Sequence, residues 1–270
     1  MKSTKREFTS VVYTKLLQAL LSTRSAGTRR NFLLNQLEHE VSDAPCEEAY
    51  RLRKRIWYRF LKKMPTATAE YDLRVHGFFD LFSQLKEVPG EIVECGVGRG
   101  QFLSVFLFAN AYYSLNRSVI GFDSFAGFPA ASEHDIGDRV QAVGEIDGWA
   151  DSTLQTVRDT IETLARGAAF CSPDDLNRLQ LIPGYFDRTL EANLPDRICF
   201  LHLDADLYES TRDCLQACLP RMESGSWIVF DELHEVERWP GVGKAVDELC
   251  RPSGLIPVWL PAIQRMGIQV

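Results

Sequence analysis

A glycine-rich stretch, Glu94-Cys95-Gly96-Val97-Gly98-Arg99-Gly100, follows a short apolar run and precedes a segment whose apolar residues recur at helical spacing. This order predicts a β-strand, a tight turn and an α-helix. Glycine tolerates positive φ, and its lack of a Cβ lets the backbone approach a ligand closely. The stretch therefore predicts a ligand-binding turn, and a turn that binds nothing remains the plainer alternative.

The acid at the start of this turn indicates which ligand it would accept. The spacing Glu-x-Gly-x-Gly-x-Gly differs from the Gly-x-Gly-x-x-Gly fingerprint that receives a pyrophosphate. A carboxylate repels an anionic group and favours a ligand with cationic groups and hydroxyls, a description that S-adenosylmethionine fits. We therefore predict that the cofactor S-adenosylmethionine binds at Glu94, Gly96, Gly98 and Gly100. A nicotinamide-dependent oxidoreductase or epimerase on a similar sheet is the alternative, although the alternate glycines argue against it.

A second acid supports the adenosyl ligand. The next predicted strand, 118–122, ends in Asp123 and Ser124. An acid at the end of the second strand of such a sheet can accept hydrogen bonds from both ribose hydroxyls. We predict that Asp123 and Ser124 contact the cofactor, and an aspartate that only caps a turn is the alternative.

Further acids follow two later strands. The strand predicted over 198–203 delivers Asp204, and the next strand delivers Asp231 and Glu232 to the same edge of the sheet. Three neighbouring carboxylates repel one another unless a cation lies among them, and oxygen ligands suit Mg²⁺. We predict a magnesium site there, with helix capping by Asp204 or Asp206 and a solvated Asp231 as the alternative. His234 is a candidate catalytic base, and an exposed histidine is its plainer interpretation.

The order of elements predicts the domain organisation. From residue 91 strands and helices alternate, which predicts an α/β fold with a mostly parallel sheet and helices on both faces. Residues 1–88 carry helical patterning and are predicted to form an N-terminal extension that caps the active site or makes a homodimer contact. Residues 89–270 are the predicted catalytic domain. Within them 126–172 is predicted to be an insertion, either a lid or a passive surface excursion.

Composition excludes several classes of function. The 270 residues include 30 basic and 37 acidic side chains, for a formal charge of -7, so no overall field attracts nucleic acid or an anionic membrane. No run approaches the ~18 apolar residues that span a bilayer. The seven cysteines form no Cys-x-x-Cys pair, which favours a reducing cytoplasm.

Four separated blocks, 88–97, 122–129, 202–211 and 240–247, resemble the macrocin O-methyltransferase family. The resemblance implies a class I methyltransferase with a Rossmann-like, seven-stranded sheet that depends on S-adenosylmethionine and magnesium. Members methylate sugar hydroxyls of macrolides and related natural products, so the expected partner is a small-molecule hydroxyl acceptor. The resemblance assigns three residues to the cofactor and three to magnesium: Glu94, Gly96 and Asp123, then Asp204, Asp231 and Glu232.

The resemblance also implies that Asp204 is the base. The chain departs from the family pattern at Gly98, where a bulky residue is usual, at Ala205, where glycine is usual, and at Glu232, where a second aspartate is usual. The longer Glu232 side chain can still reach a metal. A noncatalytic module that keeps the fold is the remaining alternative, and we would expect it to have lost these carboxylates, which are present.

Overall fold

The computed structural model describes residues 68–136, 152–165 and 171–270. The predicted helices before residue 68, and the part of the predicted insertion at 137–151, lie outside these ranges. The chain divides into two compact units, Met1–Leu73 and Arg74–Val270, and the second contains the sheet. No helix in the described ranges has both the length and the apolar character that crossing a bilayer requires.

In the described residues seven strands form a single sheet in the order β3-β2-β1-β4-β5-β7-β6. The first five strands pair in parallel, and β7 is antiparallel to both β5 and β6. The strand order reverses between β1 and β4, and ligands bind at such a switch point in open α/β sheets. The strands are β1 Glu91–Cys95, β2 Val119–Asp123, β3 Leu179–Pro183, β4 Ile198–Leu203, β5 Met222–Phe230, β6 Val258–Leu260 and β7 Arg265–Gln269.

One face of the sheet is covered by α1, Thr68–Gln84, and α2, Gln101–Tyr112. Four aromatic rings meet there with centroids 4.9 to 6.1 Å apart, from Phe78 and Phe82 of α1, Phe106 of α2 and Phe200 of β4. Each of these rings is fully buried. The second compact unit begins at Arg74, and the aromatic face of α1 from there on is part of the sheet's core. The predicted division into residues 1–88 and 89–270 stays a prediction.

The opposite face is covered by three further helices, α5 Phe186–Asn193, α6 Tyr208–Cys218 and α7 Pro240–Leu249. Leu201 and Leu203 of β4 belong to a buried apolar cluster with side chains from each of these helices, namely Leu190, Leu215 and Val246. With both faces covered, β4 is buried along its whole length, which explains why all of its residues except His202 are apolar. The predicted sheet with helices on both faces is confirmed.

Two helices, α3 Leu154–Ala165 and α4 Pro173–Asn177, connect β2 to β3. Two parallel neighbouring strands need a crossover of this kind. Val157 and Ile161 of α3 are buried, and a Cβ added at Gly100 would lie 2.8 Å from Val157 Cγ1. This part of the predicted insertion is therefore a packed crossover helix, and the prediction of a lid concerns only the remainder.

Candidate active site

A cavity of about 710 Å³ lies at the carboxyl ends of the parallel strands. Its walls come from the segments that follow β1, β2, β3 and β4, for example Gly98, Asp123, Tyr185 and Asp204. A cavity of this size can hold a nucleoside-sized ligand together with part of a second molecule. The strands thus bring residues that are far apart in sequence to one site.

The glycines of the turn allow close packing between backbone segments, and two of them also line the cavity. Gly96, Gly98 and Gly100 have φ values of 93°, 51° and 80°, which L side chains rarely adopt. A Cβ on Gly96 would lie 1.7 Å from the backbone oxygen of Asp204. Gly96 therefore allows the end of β1 to lie directly against the end of β4. Gly96 and Gly98 line the cavity, while Gly100 contacts α3 from outside it.

The carboxylate of Asp123 is fixed by three backbone donors. Its Oδ2 accepts hydrogen bonds from the Val97 and Gly98 amides, both at 2.9 Å, and its Oδ1 accepts one from the Phe125 amide at 2.8 Å. Ser124 donates to the Gly127 carbonyl at 2.6 Å. Asp123 and Ser124 both line the cavity beside the glycine turn, which is the place that the sequence predicted for them.

Glu94 lies beneath the turn and is not in the cavity wall. Its side chain is buried, and Oε1 lies 2.9 Å from Nδ1 of the buried His202. Burial, reinforced by Asp204 and Asp123, raises the pKa of Glu94 well above its usual range, while burial lowers the pKa of His202 to about 4. Both shifts favour the uncharged forms of the two side chains. The cofactor contact predicted for Glu94 stays a prediction.

Three carboxylates converge at the ends of β4 and β5. Asp204, Asp206 and Glu232 each contribute one oxygen, and these oxygens lie within 4.8 Å of one another. Burial and the neighbouring Asp231 raise the pKa of Asp204 to about 7, and burial together with Asp204 raises the pKa of Glu232 well above its usual range. Both shifts come first from burial and then from the negative charge of the neighbouring carboxylates.

Asp231 is not one of these three converging carboxylates and pairs with two arginines. It pairs with Arg265 at 2.7 Å and with Arg74 at 3.2 Å. Although burial acts in the opposite direction, the two guanidinium groups hold the pKa of Asp231 below its usual value. Of the predicted magnesium ligands, Asp204 and Glu232 are thus brought together, and Asp206 stands where Asp231 was expected.

The donor set suits a hard divalent cation. All three groups offer carboxylate oxygen, the ligand that Mg²⁺ prefers. Oε2 of Glu232 is buried and has no hydrogen-bond partner among the described residues. A buried carboxylate oxygen of this kind is suited to binding a cation. Asp204 and Asp206 also line the cavity, so a cation held there would face its contents.

His234 does not line the cavity. Its Nε2 lies 3.5 Å from a guanidinium nitrogen of Arg265 and 3.6 Å from Glu235, and its ring centroid lies 5.8 Å from that of Trp259. Burial and Arg265 lower the pKa of His234. The structure thus places this predicted catalytic residue outside the cavity wall, beside the arginine that pairs with Asp231, and its role as a base stays a prediction.

Sequence reasoning assigned no binding or catalytic role to two charged residues in the cavity wall. Asp206 has a φ of 62°, which places its carboxylate beside that of Asp204. The alternate acids in Asp204-Ala205-Asp206 were the available signal. Arg212 of α6 also lines the cavity and pairs with Glu209 and with Asp213, one turn and one residue away. No motif marked Arg212 in advance.

Curated proteins with similar sequences are O-methyltransferases by name. The chain is 35% identical over 149 residues to the 8-demethyl-8-(2,3-dimethoxy-alpha-L-rhamnosyl)-tetracenomycin-C 4'-O-methyltransferase of Streptomyces olivaceus, which covers 54% of this chain and 53% of the relative. It is 30% identical over 147 residues to the demethyldecarbamoylnovobiocin O-methyltransferase of Streptomyces niveus, with the same coverage of 54% and 53%. The chain spans about half the length of the curated relatives it matches.

The fold and the family agree with these relatives. The O-methyltransferase NovP superposes with a TM-score of 0.61 at 25% identity, over 73% of this chain and 79% of that structure, and the shared fold is that of class I methyltransferases. The model of the macrocin O-methyltransferase family (TylF) matches residues 74–267. This match runs from α1 into β7 and includes β1 to β6 in full. The chain belongs to the macrocin O-methyltransferase family.

Proposed function

We propose that this protein is an S-adenosylmethionine-dependent O-methyltransferase that acts on a sugar hydroxyl of a natural product, with Mg²⁺ helping to position the acceptor. The observation that carries the proposal is the single cavity that Asp123 and the acids Asp204 and Asp206 share. One end offers an acceptor for ribose hydroxyls, and the other offers a carboxylate cluster for a metal. Methyl transfer requires the methyl donor and the acceptor oxygen to lie side by side, and one cavity with both features can bring them together.

The residues at the glycine turn would bind the nucleoside. Asp123 is held rigidly by the amides of Val97 and Gly98, so its outer lone pairs can accept hydrogen bonds from ribose hydroxyls without rearrangement. Gly98 presents no side chain toward the cavity, which leaves space close to the backbone. S-adenosylmethionine, when bound, supplies the electrophilic methyl group.

The carboxylates at β4 and β5 would orient and deprotonate the acceptor. Asp204, Asp206 and Glu232 would hold magnesium, and the ion, when bound, supplies a Lewis acid that lowers the pKa of an acceptor hydroxyl. Asp204 lies in the cavity wall and would accept the hydroxyl proton as the general base. Transfer then depends on holding the acceptor oxygen in line with the methyl carbon.

The sugar acceptor rests on the family and on the named relatives. The relative from Streptomyces olivaceus carries a rhamnosyl compound in its name. Because this chain covers about half of that protein, we propose the sugar acceptor by similarity. The cavity of this chain must then be able to bind a sugar. Arg212 and Asp213 of α6 add planar polar groups to the wall, and such groups can bind neighbouring sugar hydroxyls in pairs.

Thermal unfolding tests the cofactor and the metal together. A ligand at one hundred times its dissociation constant stabilises the folded state by about 2.7 kcal/mol, which raises Tm by several degrees. We expect S-adenosylmethionine to raise Tm, Mg²⁺ to raise it further, and NAD⁺ to leave it unchanged. Stabilisation by NAD⁺ and not by S-adenosylmethionine would favour an oxidoreductase or epimerase and overturn the proposal.

A further inference from the structure

The segment that follows β2 forms part of the cavity wall. It comprises residues 124–136, which we term the strap; it leaves the sheet at Asp123, and its far end is held at the start of α6, the helix after β4. Since β1 lies between β2 and β4, the strap crosses the carboxyl end of β1, where the glycine turn lies. Phe128 and Pro129 of the strap line the cavity.

The far end of the strap is held by a buried carboxylate. Asp135 is 1% exposed. Its Oδ1 accepts a hydrogen bond from the Tyr208 amide at 2.7 Å, and its Oδ2 accepts from the amide and the hydroxyl of Ser132, both at 2.7 Å. A buried carboxylate with three donors is held in one position. The strap is thus joined to α6 by a residue that lies outside the reacting groups.

Asp135 caps the N-terminus of α6, which has no capping side chain at its own N-cap position. The N-cap residue of α6 is Leu207, whose side chain makes no capping hydrogen bond. Asp135 supplies the acceptor for the Tyr208 amide from another segment of the chain, and its charge lies at the positive end of the helix dipole. Gly241 leaves the necessary space, because a Cβ there would lie 2.1 Å from Asp135 Oδ1.

An apolar contact holds the middle of the strap. Phe128 and Ala131 pack against a small buried cluster formed by Leu207, Trp239 and Val242. Leu207 precedes the helix that Asp135 caps, so both attachments are made to the same part of the molecule. Loss of the Asp135 contact would therefore loosen the far end while the apolar contact keeps the strap nearby.

We propose that Asp135 is a positioning residue for the cofactor: it fastens the strap across the cavity and slows the release of the adenosyl ligand. The inference rests on the proposed function, because it takes the cavity to be the cofactor site. Asp135 does not line the cavity and acts through Phe128 and Pro129, which do.

The chain contains a matched control for this residue. Ser172 and Asp175 form the same capping box as Ser132 and Asp135, with Asp175 Oδ2 2.8 Å from the Ser172 amide and 2.6 Å from its hydroxyl. This second box is on the surface at the start of α4 and does not line the cavity. It therefore reports the cost of losing a capping box with no strap attached.

The experiment measures S-adenosylhomocysteine dissociation by surface plasmon resonance from the immobilised full chain. Asp135→Asn replaces one acceptor oxygen with an amide group, so a buried donor loses its partner. We expect dissociation to become about tenfold faster in Asp135→Asn and to change less than about twofold in Asp175→Asn. Equal dissociation rates in wild type and Asp135→Asn would overturn the inference.

Two further measurements keep the outcome interpretable. If Asp135→Asn does not fold, the milder pair Ser132→Ala and Ser172→Ala decides, with faster dissociation expected only in Ser132→Ala and equal rates in both contradicting the inference. If the wild-type chain does not bind S-adenosylhomocysteine, the proposed function fails, and the inference fails with it. If wild type binds S-adenosylhomocysteine and the strap variants release it at the same rate, the inference is wrong but the proposed function is not contradicted.

Discussion

Gly96 and Gly127 share a φ of 93° but differ in their surroundings. A Cβ on Gly96 would lie 1.7 Å from the Asp204 backbone oxygen, whereas nothing lies within 4 Å of a Cβ on Gly127. We expect Gly127→Ala to lower the free energy of unfolding by about 1 kcal/mol through backbone strain, and Gly96→Ala by about 3 kcal/mol or more through strain and overlap. Urea denaturation measures both, and equal losses would mean that the junction of β1 and β4 is not tightly packed.

The choice of metal ligands is a second matter decided by single residues. We expect Asp206→Asn to weaken Mn²⁺ binding, measured by electron paramagnetic resonance, by about tenfold or more, because it removes one of three converging carboxylates. Asp231→Asn should change Mn²⁺ affinity by less than about threefold, since Arg265 and Arg74 already engage its carboxylate.

The same pair of variants can contradict this assignment. A larger loss in Asp231→Asn than in Asp206→Asn would restore the ligand set predicted from the sequence. Asp231→Asn also reports on stability, because it removes the carboxylate from a mostly buried ion pair with Arg265. Its affinity should therefore be measured at a temperature where the variant remains folded.

Sequence patterns located the acids at one edge of the sheet but could not say which ones meet. Asp204, Asp231 and Glu232 were predictable because each follows an apolar strand. The side chain that engages Asp231, Arg265, comes from β7, far along the chain, and no local pattern links the two. Similarly, Asp206 joins the cluster through a positive φ that its residue type tolerates but does not require.

At the level of elements, the stability of α3 distinguishes a lid from a packed crossover helix in the segment after β2. A detachable lid would tolerate changes on its inner face, whereas a crossover helix would not. We expect Val157→Ala and Ile161→Ala each to lower the free energy of unfolding by about 1 to 4 kcal/mol, because both side chains are buried. Gln155→Ala, on the exposed side of the same helix, should change it by less than about 0.5 kcal/mol.

Chemical denaturation of the three α3 variants provides the comparison. Losses below about 0.5 kcal/mol in all of them would mean that the helix detaches easily, as the lid hypothesis requires. The helix was placed within an insertion because glycine, proline and acidic residues before it interrupt the strand and helix alternation. By contrast, β4 was predicted with the bounds that the structure gives, because a short apolar run with clear ends marks a buried strand.

For the whole molecule, the sequence predicted the α/β class and the structure added the strand order. The reversal between β1 and β4 places the glycine turn, Asp123 and the carboxylate cluster around one cavity. The division of the chain at residue 74 was not predicted, because the periodicity of α1 resembles that of any amphipathic helix. The aromatic packing of Phe78 and Phe82 against Phe200 of β4 shows that the helix from Arg74 onward belongs to the unit that contains the sheet.

The central claim is that this cavity holds an adenosyl cofactor through Asp123. Isothermal titration of S-adenosylhomocysteine into the wild-type chain and into Asp123→Ala tests it most directly, with far-ultraviolet circular dichroism as the check on folding. We predict one binding site per chain in wild type and an affinity at least about tenfold weaker in the variant, because the ribose hydroxyls lose a charged acceptor. The absence of binding to wild type, or equal affinity for both proteins, would contradict the claim.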